Sequence, residues 1–192
     1  LCVTLGVCAW AQGRQQDISS SLVRLHVIAA SDEAAEQELK MRVRDGVLEY
    51  LTPVLDSAES PAQARSIINA EIPNIRAAAE KCAEGRTVRV TLGSEYYPTR
   101  EYDSFSLPAG QYSSLRVIIG QGQGHNWWCV LYPRFCFLDE TCKEIPEESR
   151  KELQDQLNQG DYPLLKDHRP ELNIRFFFFP DFQPVLPSHS SG

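Results

Sequence analysis

Three features of the sequence predict a single α+β domain, with an antiparallel sheet packed by helices on one face. Alternating apolar runs recur between residues 87 and 132 with short turn segments between them. Two stretches with apolar residues three and four apart precede them, and a strand-like run opens the body of the chain. Strands joined by short turns pair antiparallel, and helices lying outside the strand run pack together on one side. A chain of 192 residues suits one domain and buries a real core without staples.

The elements follow in order. Leu1–Ala11 carries no charge and ends in Ala9-Trp10-Ala11, so residues 1–11 read as the remnant of a signal peptide or membrane anchor. If they mark export, the body folds in an oxidising compartment. Residues 12–21 are polar and read as a linker to a domain over 22–179. Leu22–Ala29 alternates and predicts a strand. Ser31 or Asp32 is a helix cap, followed by Leu39, Val43, Val47 and Leu51 as one stripe. Pro53 is expected to end that helix. Ser60-Pro61-Ala62-Gln63 is a capping box, Pro73 is expected to break or kink the second helix, and Gly85 stops it.

Thr87–Leu92 predicts a strand, with a short second one at Tyr96-Tyr97. Ser113–Ile119 and Asn126–Tyr132 predict two more, joined by Gly120-Gln121-Gly122-Gln123-Gly124 as a hairpin connection. Pro146–Gly160 predicts a third helix and Leu172–Phe179 a buried strand. Residues 180–192 read as a disordered tail.

Charge narrows the function. Lys and Arg total 19 against 26 for Asp and Glu, a net charge of −7. Nucleic-acid binding and docking on anionic lipid both require a basic face, and no nucleic-acid partner is expected. Gly120, Gly122 and Gly124 follow a strand as in a dinucleotide fingerprint. That fingerprint must open a helix, whereas Asn126–Tyr132 is strand-like. His125, Cys129, Cys136 and Cys142 form a legal tetrahedral zinc set, but with irregular gaps and no C-x-x-C knuckle. A cysteine hydrolase would pair Cys129 or Cys136 with His26, His125 or His168, none of which lies in a nucleophile motif. Cys82, Cys129, Cys136 and Cys142 allow three full disulfide pairings, and a local bridge between Cys129 and Cys136 would contribute about 2.5 kcal/mol. Trp127 and Trp128 must point to opposite faces of their strand, so either one enters the core and the other serves a partner, or both are packed.

Two blocks carry a resemblance. The first is Arg24-Leu25-His26-Val27-Ile28-Ala29-Ala30-Ser31-Asp32 with Leu39-Lys40-x-Arg42-Val43-Arg44-Asp45-x-Val47-Leu48-Glu49-Tyr50. The second runs from Pro98-Thr99 through Leu107–Tyr112 and Leu115–Gly120. It continues through Gly122-x-Gly124-His125-Asn126-Trp127-Trp128-Cys129-Val130-Leu131-Tyr132-Pro133 to Cys136-Phe137. Together they resemble the stage II sporulation protein R family. The resemblance implies a non-enzymatic signalling protein of endospore-forming bacteria, exported into the space between the forespore and mother-cell membranes. Its implied partner is a membrane-embedded aspartic protease that processes pro-sigma factor E; no cofactor, metal or small-molecule substrate is implied. It also favours a Cys129–Cys136 disulfide over zinc. The contact surface is expected at Gly120, Gly122, Gly124, Asn126, Trp127 and Trp128. The competing reading is a secreted cysteine- or zinc-dependent hydrolase of the cell envelope.

Overall fold

A computed structural model describes residues 13, 15–102 and 105–133. The elements are β1 (Val23–Ile28), α1 (Ala34–Leu55), α2 (Pro61–Cys82), β2 (Val88–Tyr97), β3 (Arg100–Tyr102), β4 (Phe105–Leu107), β5 (Gly110–Ile119) and β6 (Asn126–Tyr132). The expected segments 1–11, 146–160, 172–179 and 180–192 lie outside the described residues. Residues 15–20, expected as linker, are helical, and Ile18 and Ser19 are buried.

The architecture is α+β, with a mixed sheet in place of the antiparallel one expected. Its order is β2-β5-β1-β6. Strand β1 pairs parallel with β5 and antiparallel with β6, while β2 pairs antiparallel with β5. The reason is the separation of β1 from β5 by two helices and the strands β2, β3 and β4. A connection of that length permits a parallel pair, which a tight turn forbids. Local turn signals report only on neighbours in sequence. Strands β3 and β4 form a separate two-stranded ribbon.

The same order changes the meaning of the glycine run. Strands β5 and β6 are not neighbours, because β1 lies between them. Residues 120–125 are therefore a crossover past the end of β1, not the hairpin turn expected from the sequence.

One sheet face forms the main core. Val23, Leu25 and Val27 of β1, Leu115, Val117 and Ile119 of β5, and Trp127 and Cys129 of β6 share it with Leu39, Val43, Val47, Leu51, Ile68, Ile75 and Ala79 from the helices. The apolar stripes read from the sequence are thus the packed faces. Each such aliphatic side chain contributes roughly 1.5–3 kcal/mol on full burial. Helices α1 and α2 approach closely at Gly46, where an added Cβ would lie 2.7 Å from Cys82 Sγ.

Both prolines expected to end or break helices lie inside them. A proline removes one helical hydrogen bond and crowds the preceding turn. Around Pro73 the buried Ile68, Ile75 and Ala79 keep the helix on the core and outweigh that loss. Helix α2 has the expected cap: Ser60 Oγ accepts from the Gln63 amide at 3.2 Å. Gln63 Oε1 in turn accepts from the Glu59 amide at 3.0 Å. Tyr96 and Tyr97, expected as a separate strand, end a ten-residue β2 paired along its whole length with β5.

Candidate functional site

The crossover is clamped to the junction between β1 and α1. The Gly124 amide donates to the Ala29 carbonyl at 3.0 Å, and the Gln123 amide to the Ala30 carbonyl at 3.3 Å. The His125 amide donates to Asp32 Oδ1 at 2.5 Å, and His125 Nδ1 meets the same oxygen at 2.5 Å. Lys40, buried on α1, donates from Nζ to the His125 carbonyl at 3.2 Å and to Gln37 Oε1 at 2.7 Å. Asp32 is therefore the anchor of the loop and not the helix cap expected. The N-cap of α1 is Glu33, with no side-chain hydrogen bond. The hydrogen bond from His125 holds the Asp32 carboxyl below its ordinary pKa.

Close passage explains the glycines. Gly120 and Gly122 have φ of 56° and 65°, the left-handed region that disfavours a Cβ. A Cβ at Gly122 would lie 2.6 Å from Ile118 Cγ2, and one at Gly124 would overlap the Ser31 carbonyl. The side chains left facing outward are those of Gln121, Gln123, His125 and Asn126.

The two tryptophans part as the strand period requires. Trp127 joins the main core, with the Arg44 guanidinium 4.9 Å from its ring centre. Trp128, half-buried, lies on the opposite face, its ring 5.6 Å from that of His26.

That opposite face holds a network the sequence reading missed. His26 Nδ1 lies 3.0 Å from both carboxylate oxygens of Glu95 and donates to them. Ser114 Oγ donates to Glu95 Oε2 at 2.9 Å. With the serine proton so used, Tyr97 donates its hydroxyl proton to Ser114 Oγ, 2.7 Å away. Burial pushes Glu95 up, but the hydrogen bonds and charges of His26, with Ser114 and Arg116, outweigh it and hold the carboxyl below its ordinary value. Burial raises the Tyr97 phenol, which stays protonated. Arg24 stacks its guanidinium 4.0 Å from the Tyr97 ring centre and 5.2 Å from that of Tyr112. The signal in the sequence was the alternation Arg24, His26 within an apolar strand. Glu95, Ser114 and Tyr97 carry no local signal, because only the strand register brings them together.

The cysteine–histidine pairs expected for a hydrolase separate. Cys129 sits opposite Leu25 on the core side, whereas His26 sits opposite Trp128 on the other face. One strand position inverts the side of the sheet, so Cys129 and His26 do not meet. Cys129 is moreover disulfide-bonded. Cys136, Cys142 and His168 lie outside the described residues, and Cys82 is a free thiol against the helical core. Among the described residues no group of three or more His, Cys, Asp or Glu is placed to hold a metal ion, and no helix is long and apolar enough to cross a membrane.

Fold and site define a one-domain α+β protein built around a clamped crossover loop on one side and a buried charged network on the other. Comparison with known proteins names the family. Residues 19–142 match the family model for stage II sporulation protein R. The chain is 34% identical over 140 residues to Stage II sporulation protein R of Bacillus subtilis (strain 168), an alignment covering 70% of this chain. It spans 62% of that relative's length. No solved structure matches. The chain belongs to the stage II sporulation protein R family, a family of sporulation proteins.

Proposed function

We propose that this protein is an exported sporulation signal. Made in the forespore and delivered between its two membranes, it activates the membrane-embedded aspartic protease that processes pro-sigma factor E. The observation that carries this reading is the family match over residues 19–142, which includes the clamped loop and both tryptophans. The chain acts by contact and not by chemistry of its own. Activation then requires tighter binding to the active form of the protease than to the inactive form.

The contact surface is the crossover from Gly120 through Gly122 and Gly124 to Asn126, with Trp128 at its margin and Trp127 supporting it from the core. A loop fixed before binding loses little conformational entropy on binding, which favours it as a recognition element. The proposed partner of the Cys129 disulfide is Cys136, as the family resemblance implies.

The test is reconstitution. An exported form of residues 12–192 is co-expressed with the cognate protease and pro-sigma factor E, and cleavage is read by immunoblot. Cleavage that depends on this chain is expected. A folded, exported chain that leaves the pro-protein intact overturns the proposal.

A further inference from the structure

The far face of the sheet collects hydrogen-bond donors without the acceptors to match them. Arg24 is 1% exposed, and its Nε and Nη1 have no hydrogen-bond partner. Nε1 of Trp128 and Nε of Arg116 are buried donors in the same condition. These groups share one neighbourhood. The Tyr97 ring lies 6.3 Å from that of His26 and 6.2 Å from that of Trp128, and Arg24 stacks on it. The carboxylate among them, Glu95, is already committed to His26 and Ser114, with Arg116 Nε 3.7 Å away as an ion pair. A buried donor left unmet carries its desolvation cost uncompensated, so a cluster of them favours an occupant that brings acceptors.

Charge points the same way. Among the described residues, Arg24, Arg116 and Arg100, the last 5.9 Å from the Trp128 ring centre, stand against Glu95. The chain as a whole carries −7. A basic patch on an acidic protein focuses anions onto itself. Arg116 is 40% exposed along its side chain and gives the patch an edge open to solvent.

We infer that this cluster receives a carboxylate presented by an acidic segment of a partner protein. The Arg24 guanidinium donates to carboxylate oxygens, and the buried, unpartnered Trp128 indole N–H adds a further donor to the cluster. A cationic or apolar occupant would leave every one of these donors unmet. The site lies across the sheet from the helices and rests on Arg24 and Arg116. It does not depend on the protease reading, and either can fail alone.

The experiment uses the full chain, labelled with nitrogen-15. The probe is the capped peptide acetyl-Glu-Asp-Glu-amide, with acetyl-Gln-Asn-Gln-amide, chloride and inorganic phosphate as controls at equal ionic strength. The Trp128 indole N–H and Arg24 Nε–H resonances are followed. Saturable shifts at both with the acidic peptide alone are expected, weakened at least tenfold by Arg24→Lys and several-fold by Arg116→Gln. Should Arg24→Lys not fold, the partly exposed Arg116→Gln carries the test. No shift, equal shifts with chloride or phosphate, or an affinity unmoved by Arg116→Gln would overturn the assignment.

Discussion

The Gly124 amide donates to the Ala29 carbonyl at 3.0 Å, so a loop that reads as a hairpin connection in sequence is hydrogen-bonded to the end of the central strand. Chain passing over chain at this distance leaves no room for a side chain. Gly124→Ala is expected to cost about 2–3 kcal/mol through overpacking against backbone. Gly85→Ala meets no neighbour and carries only the left-handed φ penalty, about 1–2 kcal/mol. Urea midpoints of the two variants check the order; equal losses would refute the close-passage account.

A second glycine makes a paired prediction. Gly46→Ala drives its new Cβ into Cys82 Sγ and should cost about 1–3 kcal/mol. Cys82→Ala removes that sulfur and should recover part of the loss in the double variant. A coupling above about 0.5 kcal/mol in the double-mutant cycle is expected; additive effects would place the strain elsewhere.

Acid should act through Glu95. Its folded pKa is below the ordinary value of 4.5, so its contribution to stability is complete above that value. The contribution is lost as pH falls through the folded pKa. Glu95→Gln removes this term, and the variant's thermal midpoint should vary less with pH in the acid range than the parent's. Identical acid slopes would show that Glu95 is not the group responsible.

The loop surface has its own readout. Gln121→Ala and Gln123→Ala change exposed side chains and should leave the unfolding free energy within about 0.5 kcal/mol of parent. In the reconstituted cleavage assay the pair should lower processing several-fold. Full processing would remove the outer rim of the crossover from the contact surface.

Much of the fold was legible because local patterns reported local physics. The stripe Leu39, Val43, Val47, Leu51 is buried as read, and the boundaries of β6 are those of the Asn126–Tyr132 run. What stayed hidden was whatever depends on which strand sits beside which. The turn residues at Gly120–Gly124 describe a reversal equally well whether the next strand lands beside β5 or one place further on. Asp32 has the composition of a cap, yet its carboxylate is taken by His125, 93 positions away in sequence. The network of His26, Glu95 and Ser114 was invisible for the same reason. Each is an ordinary strand residue until the register sets them on one face.

The position of β1 has a consequence for how the chain is made. The first of the described strands in chain order is an interior strand of the finished sheet, and its partners are residues 113–118 and 126–132. Until those arrive, both hydrogen-bonding rims of Val23–Ile28 stand open, while α1 and α2 can already associate. Closure of the domain therefore falls late, near the last described strand, and such long-range pairing is slow and exposed to misassembly. A chain halted before Asn126 would hold the partners for β2–β5 and β5–β1 and still leave the β6 rim of Val23–Ile28 open.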